Sequence, residues 1–128
     1  MGTIDDYKSE KIELAQEQLA RVQMAWDDPT DWADLSHYGF HALENAIDAA
    51  CAHFGLESAG NSHWKRVERA LELHKDHGLD DVSDLLRDLN ETRKSESYGD
   101  VTAPPLDAED TATSIERYVE AVDVLLRR

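Results

Sequence analysis

The residues best suited to chemistry lie together near the end of the fourth apolar stripe of the sequence. Arg93 continues that stripe, with Asn90 three residues before it and Ser97 four residues after it, so the three share one helix face. Tyr98 and Asp100 follow, where a glycine breaks the pattern. A guanidinium held in such a patch suits a paired contact with a phosphate or a carboxylate. The structural alternative is that Arg93 pairs with an acidic residue at the core edge and Tyr98 covers the end of the bundle.

A second group of candidates consists of histidines. His37 and His41 are four residues apart, with Glu44 three further on, which could place two imidazoles and a carboxylate on one helix face, as a metal site requires. His74 and His77 form a looser pair. The sequence has no His-Glu-x-x-His motif and no cysteine cluster, and such histidines are more often found on a helix surface or at a core edge. We therefore predict no metal and no other cofactor, with a zinc- or iron-binding bundle as a weaker alternative.

The tryptophans and the single cysteine favour structural roles. Trp26, Trp32 and Trp64 could form a stacking platform, but such residues more often fill a core or an interface. Cys51 lies within an apolar stripe among alanines, which predicts a buried, unreactive thiol. A lone cysteine cannot form an internal disulfide, so nothing indicates an oxidising compartment.

Apolar residues at helical spacing predict the elements that position these side chains. The predicted helices run from about Ile4 to Met24, from Asp31 as the N-cap to Phe54, from His63 to His77 after a cap at Asn61 or Ser62, from a cap at Asp80 or Asp81 to about Ser97, and from Asp107 or Ala108 onward. Short connections between them predict an all-α, antiparallel up-down bundle of about five helices. A chain of 128 residues is long enough for one domain with its own core, which we assign to residues 1–128.

The charge balance limits the classes of partner. Thirteen Lys and Arg against 28 Asp and Glu give a net charge of −15. Such a chain lacks the basic footprint of a protein that coats nucleic acid, and it would be repelled by an anionic membrane. Any RNA contact would therefore have to be local, at a few cations in a cleft. The acidic N-terminus and the absence of an 18-residue apolar run predict no signal peptide, no membrane span and a cytoplasmic location.

Several short motifs resemble those of the HEPN superfamily of all-α nucleotide-binding domains. Residues 86–89 (LRDL), Arg93 and residues 98–100 (YGD) are similar to its signature, in which an arginine is followed by a histidine or by a Tyr-Gly-Asp variant at a helix end. Residues 38–46 (YGFHALENA) look like its aromatic core helix with a His-Ala pair, and His63 begins the next helix as expected. In helix order the resemblance covers about the whole chain.

The resemblance implies a homodimer whose cleft carries two copies of the arginine motif. In ribonuclease members of the family, the arginine holds the scissile phosphate and a histidine takes part in metal-independent acid–base chemistry on the 2′-hydroxyl. Here Tyr98 stands five residues after Arg93, where those members have histidine. An unperturbed tyrosine, with a pKa of ~10, is ionised in only about one molecule in a thousand at pH 7. This difference favours binding, or an inactive catalytic site, over a standard nuclease.

We therefore expect a HEPN-like module that binds a nucleotide or RNA phosphate at a dimer cleft, in a stress, toxin–antitoxin or defence system. Arg93 would hold the phosphate and Tyr98 would stack or hydrogen-bond, and these two would be the catalytic residues of an enzyme. Asn90, Ser97 and Asp100 would complete the ligand-binding set. Enzymatic activity is left open, and if present it would be that of a metal-independent endoribonuclease. The alternative is a non-catalytic acidic protein, similar to an antitoxin or inhibitor, that binds a basic protein partner.

Overall fold

The described part of the chain is a bundle of α-helices. The computed structural model describes residues 3–27, 29–97 and 104–128, with residues 96 and 97 described by their backbone alone. Within these residues the elements are α1 (Ile4–Ala25), α2 (Trp32–His53), α3 (His63–His77), α4 (Ser83–Ser97) and α5 (Ala108–Leu126). The described residues are 78% helical and include no strand, which confirms the predicted all-α fold of about five helices.

Side-chain caps set most of the helix starts. At the start of α3, the Ser62 hydroxyl accepts a hydrogen bond from the Lys65 N–H at 3.2 Å. At its end, Gly78 adopts a left-handed conformation with a φ of 76°, which closes the helix. Since both signals are readable in the sequence, the predicted bounds of α3 agree with the observed ones. The cap at Ser62 also fixes where the first two side chains of α3 emerge.

Helix α2 is the central element and packs against each of the other four described helices. Its alanines at positions 42, 46, 49 and 50 are fully buried, so the backbones of neighbouring helices can approach closely. The core that surrounds it is apolar, with Leu43 and Ile47 of α2, Leu86 and Leu89 of α4, and Ile115 of α5 fully buried. No helix in the described ranges is long and apolar enough to cross a membrane.

Burial of the tryptophans corrects part of the sequence analysis. Trp26 and Trp32 are partly buried and pack against the core, as predicted. The prediction is wrong for Trp64, which is 68% exposed in the first turn of α3. Cys51 is buried, as predicted, and burial raises the pKa of its thiol to about 12.

Candidate functional site

A groove of about 730 Å³ opens between the middle of α2, the start of α3 and one side of α4. Both aromatic and cationic side chains line its walls. Its principal wall residues are Phe40, His41 and Glu44 from α2, His63 and Trp64 from α3, and Arg87, Asn90, Arg93 and Lys94 from α4.

Among the described residues, Asn90 and Phe40 contact Arg93 in the wall of this groove. Its Nη2 donates a hydrogen bond to Asn90 Oδ1 at 2.9 Å, across one turn of α4. Its guanidinium carbon lies 4.7 Å from the centre of the Phe40 ring, within the range of a cation–π contact. Asn90 is only 5% exposed, so the hydrogen bond anchors the arginine to the core. The structure thus brings together two of the residues that the sequence placed at the site.

The remaining predicted site residues lie at or beyond the limit of the described chain. Ser97 ends α4, and its side chain is outside the described set. Tyr98 and Asp100 fall outside the described residues altogether. Their proposed roles therefore stay predictions.

His41 is oriented by a carboxylate within its own helix. Its Nδ1 lies 2.9 Å from Glu44 Oε1, and because an ionised carboxylate only accepts hydrogen bonds, the imidazole is the donor. Glu44 Oε2 accepts a second hydrogen bond from Arg66 Nη1 at 2.7 Å. The carboxylate is therefore held from both sides, and the His41 ring is fixed in direction.

The possible metal site on α2 takes a different form in the structure. His37 and His41 pack edge to face, with ring centres 4.7 Å apart. Glu44 is already engaged by His41 and Arg66. Across residues 3–27, 29–97 and 104–128, no group of three or more His, Cys, Asp and Glu side chains is placed to hold a metal ion.

His63 is the first residue of α3 and faces the same groove. Its ring lies 5.8 Å from that of Phe40, and its Nδ1 is buried with no hydrogen-bond partner among the described residues. Burial lowers the pKa of His63 below the ordinary 6.5, and the nearby Lys94 and Arg66 cations lower it further against the opposing effect of Glu44. These surroundings therefore favour the neutral form of the ring.

Behind the groove lies a buried ionic network centred on Arg66, which is 6% exposed. Its Nε and Nη2 donate to the two carboxylate oxygens of Asp48 at 3.2 and 3.3 Å. Its Nη2 also donates to the Gly60 carbonyl at 2.6 Å, and Nη1 donates to Glu44. Burial raises the pKa of Asp48, and Arg66 counteracts that rise. The donors of Arg66 are thus used in structural hydrogen bonds, and through Glu44 the residue helps to fix one wall of the groove.

The structural role of Arg66 and the exposure of Trp64 were not predicted from the sequence. A signal for Arg66 was present, because it precedes the buried Ala70 by four residues and the buried Leu73 by seven, at core-facing positions. An arginine at such a position predicts a buried ion pair. For Trp64 the sequence carries no corresponding signal.

The groove carries a small excess of positive charge within a strongly acidic chain, because three cationic side chains line it beside Glu44 and Glu91. Three of the thirteen Lys and Arg residues, Arg87, Arg93 and Lys94, line it. Arg87 pairs with the exposed Asp84, and Lys94 lies 3.9 Å from the exposed Glu91. Exposed ion pairs of this kind are weak, with a typical contribution of about 0–1 kcal/mol, so an anionic ligand can compete for both cations.

No protein-family model, curated protein or solved structure matches this chain. The fold and the groove define an all-α bundle with a cationic, aromatic cleft. Any functional assignment therefore rests on the side chains of that cleft.

Proposed function

We propose that this groove binds the phosphate of a nucleotide or of RNA, with Arg93 as the principal contact. The observation that carries the proposal is the fixed guanidinium of Arg93, held between Asn90 and the Phe40 ring at the wall of an open groove. A guanidinium held in place loses little conformational freedom on binding, and its planar fork matches a phosphate. Arg87 and Lys94 add positive charge along the same wall.

Trp64 supports a ligand that carries a nucleobase as well as a phosphate. Its indole is 68% exposed and lines the groove with Arg93. Stacking of a base on an exposed aromatic ring contributes about 1–3 kcal/mol and tolerates any base. An aromatic platform beside a row of cations is the arrangement that single-stranded nucleic acids and nucleotides require.

The resemblance to HEPN domains adds the wider setting of the proposal. In that setting two copies form a homodimer with the arginines at a shared cleft, in a cytoplasmic stress, toxin–antitoxin or defence system. Ser97, Tyr98 and Asp100 contribute from the segment that follows Arg93.

The test is binding of a fluorescently labelled single-stranded RNA, followed by anisotropy, for the wild type and Arg93→Ala. Arg117→Ala is the matched control, because Arg117 is an exposed arginine on α5 that pairs with Asp80 away from the groove. We expect Arg93→Ala to weaken binding at least tenfold, with unchanged circular dichroism, and the control to bind within twofold of the wild type. Three cations on a single strand also predict a slope of about −2 in log K against log salt.

Equal RNA affinity of the Arg93 and Arg117 variants would overturn the proposal. The proposal would also be overturned if neither RNA nor the nucleotides tested beside it bound at protein concentrations up to about 1 mM. Affinity that low is weaker than ordinary non-specific binding of nucleic acid. Either result would favour the alternative of a non-catalytic acidic protein that binds a basic partner.

A further inference from the structure

Three of the six histidines in the chain form a cluster of ring contacts with Phe40, beside the groove. The Phe40 ring centre lies 5.4 Å from that of His41 and 5.8 Å from that of His63, and the His37 ring lies 4.7 Å from the His41 ring. The Arg93 guanidinium carbon lies 4.7 Å from the same Phe40 ring centre. The cluster therefore places side chains that titrate near neutral pH next to the principal cation of the groove.

The charge of the groove depends on the protonation of these imidazoles. Its lining holds three cations and two carboxylates, so its net charge is only +1 while the histidines are neutral. One added proton on an imidazole beside the groove doubles that charge. Because an anion is drawn to the local charge of a cleft, the protonation state of the cluster should change the affinity of the groove for phosphate.

His63 is coupled to the cations of α4. Charged groups surround it on three helices: Glu44 on α2, Arg66 on its own helix, and Lys94 and Glu91 on α4. Burial lowers the pKa of His63, and Lys94 and Arg66 lower it further, whereas the two glutamates raise it. A phosphate that neutralises Lys94 removes one of the effects that oppose protonation. The imidazole then accepts a proton at a higher pH than in the empty groove.

His37 is coupled to Arg93 in the same way. Burial lowers the pKa of His37, and its neighbours His41 and Arg93 lower it further, whereas Asp34 raises it. A phosphate bound at Arg93 offsets the repulsion between the guanidinium and a protonated His37. The coupling acts through the charge of the arginine, so it requires no contact between the imidazole and the phosphate.

We propose that protonation of His37 and His63 is linked to phosphate binding in this groove, so that its affinity for RNA rises as the pH falls below neutrality. The inference rests on the proposed phosphate binding at Arg93. Linkage is reciprocal: a phosphate that favours the protonated imidazoles is itself bound more tightly when they are protonated. The affinity rises as the pH falls through the pKa values of the bound state, and it levels off below those of the free protein. The groove thus responds to acidification by holding an anion more tightly.

The experiment measures the affinity for an oligouridylate by fluorescence anisotropy at about pH 7.5 and about pH 5.5, at constant ionic strength. Its diester phosphates and uracil bases keep their charge over this range, and the dye is one that does not titrate there. We expect the wild type to bind about threefold to tenfold more tightly at the lower pH, as one or two added charges near the phosphate would produce. The double variant His37→Asn, His63→Asn should lose most of this gain and bind within about twofold of the wild type at pH 7.5.

The matched control is the double variant His53→Asn, His77→Asn, which removes the same number of imidazoles away from the groove. His53 lies twelve residues after His41 on α2, about 18 Å along the helix axis. The rings of His53 and His77 both contact Phe54, not Phe40. The control should keep the pH response of the wild type. NMR titration of the imidazole protons gives a direct measurement, in which the pKa values of His37 and His63 should rise when the oligouridylate is bound.

The outcomes separate this inference from the proposed function. Binding by the wild type that is equally tight at both pH values would overturn the linkage and leave the binding groove intact. An equal loss of the pH response in the two double variants would also overturn it, because the charge of the whole chain would then be responsible. Absence of binding at either pH would overturn both proposals. If the groove variant does not fold, glutamine replaces asparagine at both positions, with the same expected loss of the pH response.

Discussion

The buried ionic network around Arg66 makes the sharpest prediction about stability. Arg66→Met keeps much of the side-chain volume but removes four donated hydrogen bonds, two to Asp48, one to Glu44 and one to the Gly60 carbonyl. The carboxylates remain, and the Asp48 side chain is only 11% exposed. Removing one partner of a buried pair costs about 3–5 kcal/mol, because the other charge is left without compensation. For a chain of 128 residues, this corresponds to a fall in Tm of about 10–20 °C.

Arg69→Met is the matched control for this prediction. Arg69 lies one turn further along α3 and pairs with Glu57 at 4.0 Å and Glu72 at 3.4 Å. Since Glu57 is almost fully exposed, solvent screens this interaction, and we expect a loss below about 1 kcal/mol. Urea unfolding followed by circular dichroism measures both free energies. A loss for Arg66→Met no larger than that for Arg69→Met would refute the reasoning.

The pH dependence provides an internal check on the Arg66 prediction. The pKa of Asp48 in the folded chain is raised above 3.8, so its contribution to the unfolding free energy is fully present below that value and is lost as the pH rises through the folded pKa. Without Arg66 the pKa would rise further, and the loss would extend to higher pH. The gap between wild type and Arg66→Met should therefore widen between about pH 4 and pH 7. A gap that is constant over this range would show that Asp48 is not the stranded charge.

Three further predictions concern the core. Tyr118 is fully buried, and its hydroxyl has no hydrogen-bond partner among the described residues. Tyr118→Phe should therefore leave the unfolding free energy, measured by urea titration, unchanged or raise it by about 1 kcal/mol. A clear loss of stability would reveal a hydrogen bond to that hydroxyl. The Cys51 thiol, with its pKa raised to about 12 by burial, should react with a thiol-specific reagent only after unfolding, and rapid labelling of the native protein would contradict its placement. A β-carbon at Gly39 would lie 2.8 Å from Ile115 Cδ1, so Gly39→Ala should cost about 1 kcal/mol in spite of its better helix propensity. Adding Ile115→Val should recover part of that cost, whereas simple addition of the two losses would exclude the clash.

The helices were predictable because local signals define them. The bounds of α3 follow from a serine cap and a left-handed glycine, both of which act within a few residues. The start of α4 was less accurate for an equally local reason. The carboxylate of Asp81 accepts hydrogen bonds from both the N–H and the hydroxyl of Ser83, which forms a turn before the helix begins at Ser83.

The candidate site was predictable only where its contacts stay within one helix. The spacing of Asn90 and Arg93 identified a pair that the structure joins by a hydrogen bond. The aromatic support of Arg93 comes from Phe40, on another helix, and no spacing rule connects the two. Trp64 was assigned to the core because large aromatic residues are usually buried, yet the first turn of α3 borders the open groove and leaves its indole in solvent.

The histidines of α2 show why sequence spacing left their chemistry open. A metal site and an imidazole–carboxylate pair both need His41 and Glu44 on one helix face, so the spacing fits either. Arg66, which is 22 residues from Glu44 in the sequence, distinguishes the two arrangements. It donates to the Glu44 oxygen that His41 does not contact, and so it brings positive charge where a metal ion would have to bind. The same buried arginine therefore stabilises the fold and fixes the carboxylate that orients His41. It follows that Arg66→Met should disturb the groove as well as the core, whereas a loss of stability with unchanged RNA affinity would separate the two roles.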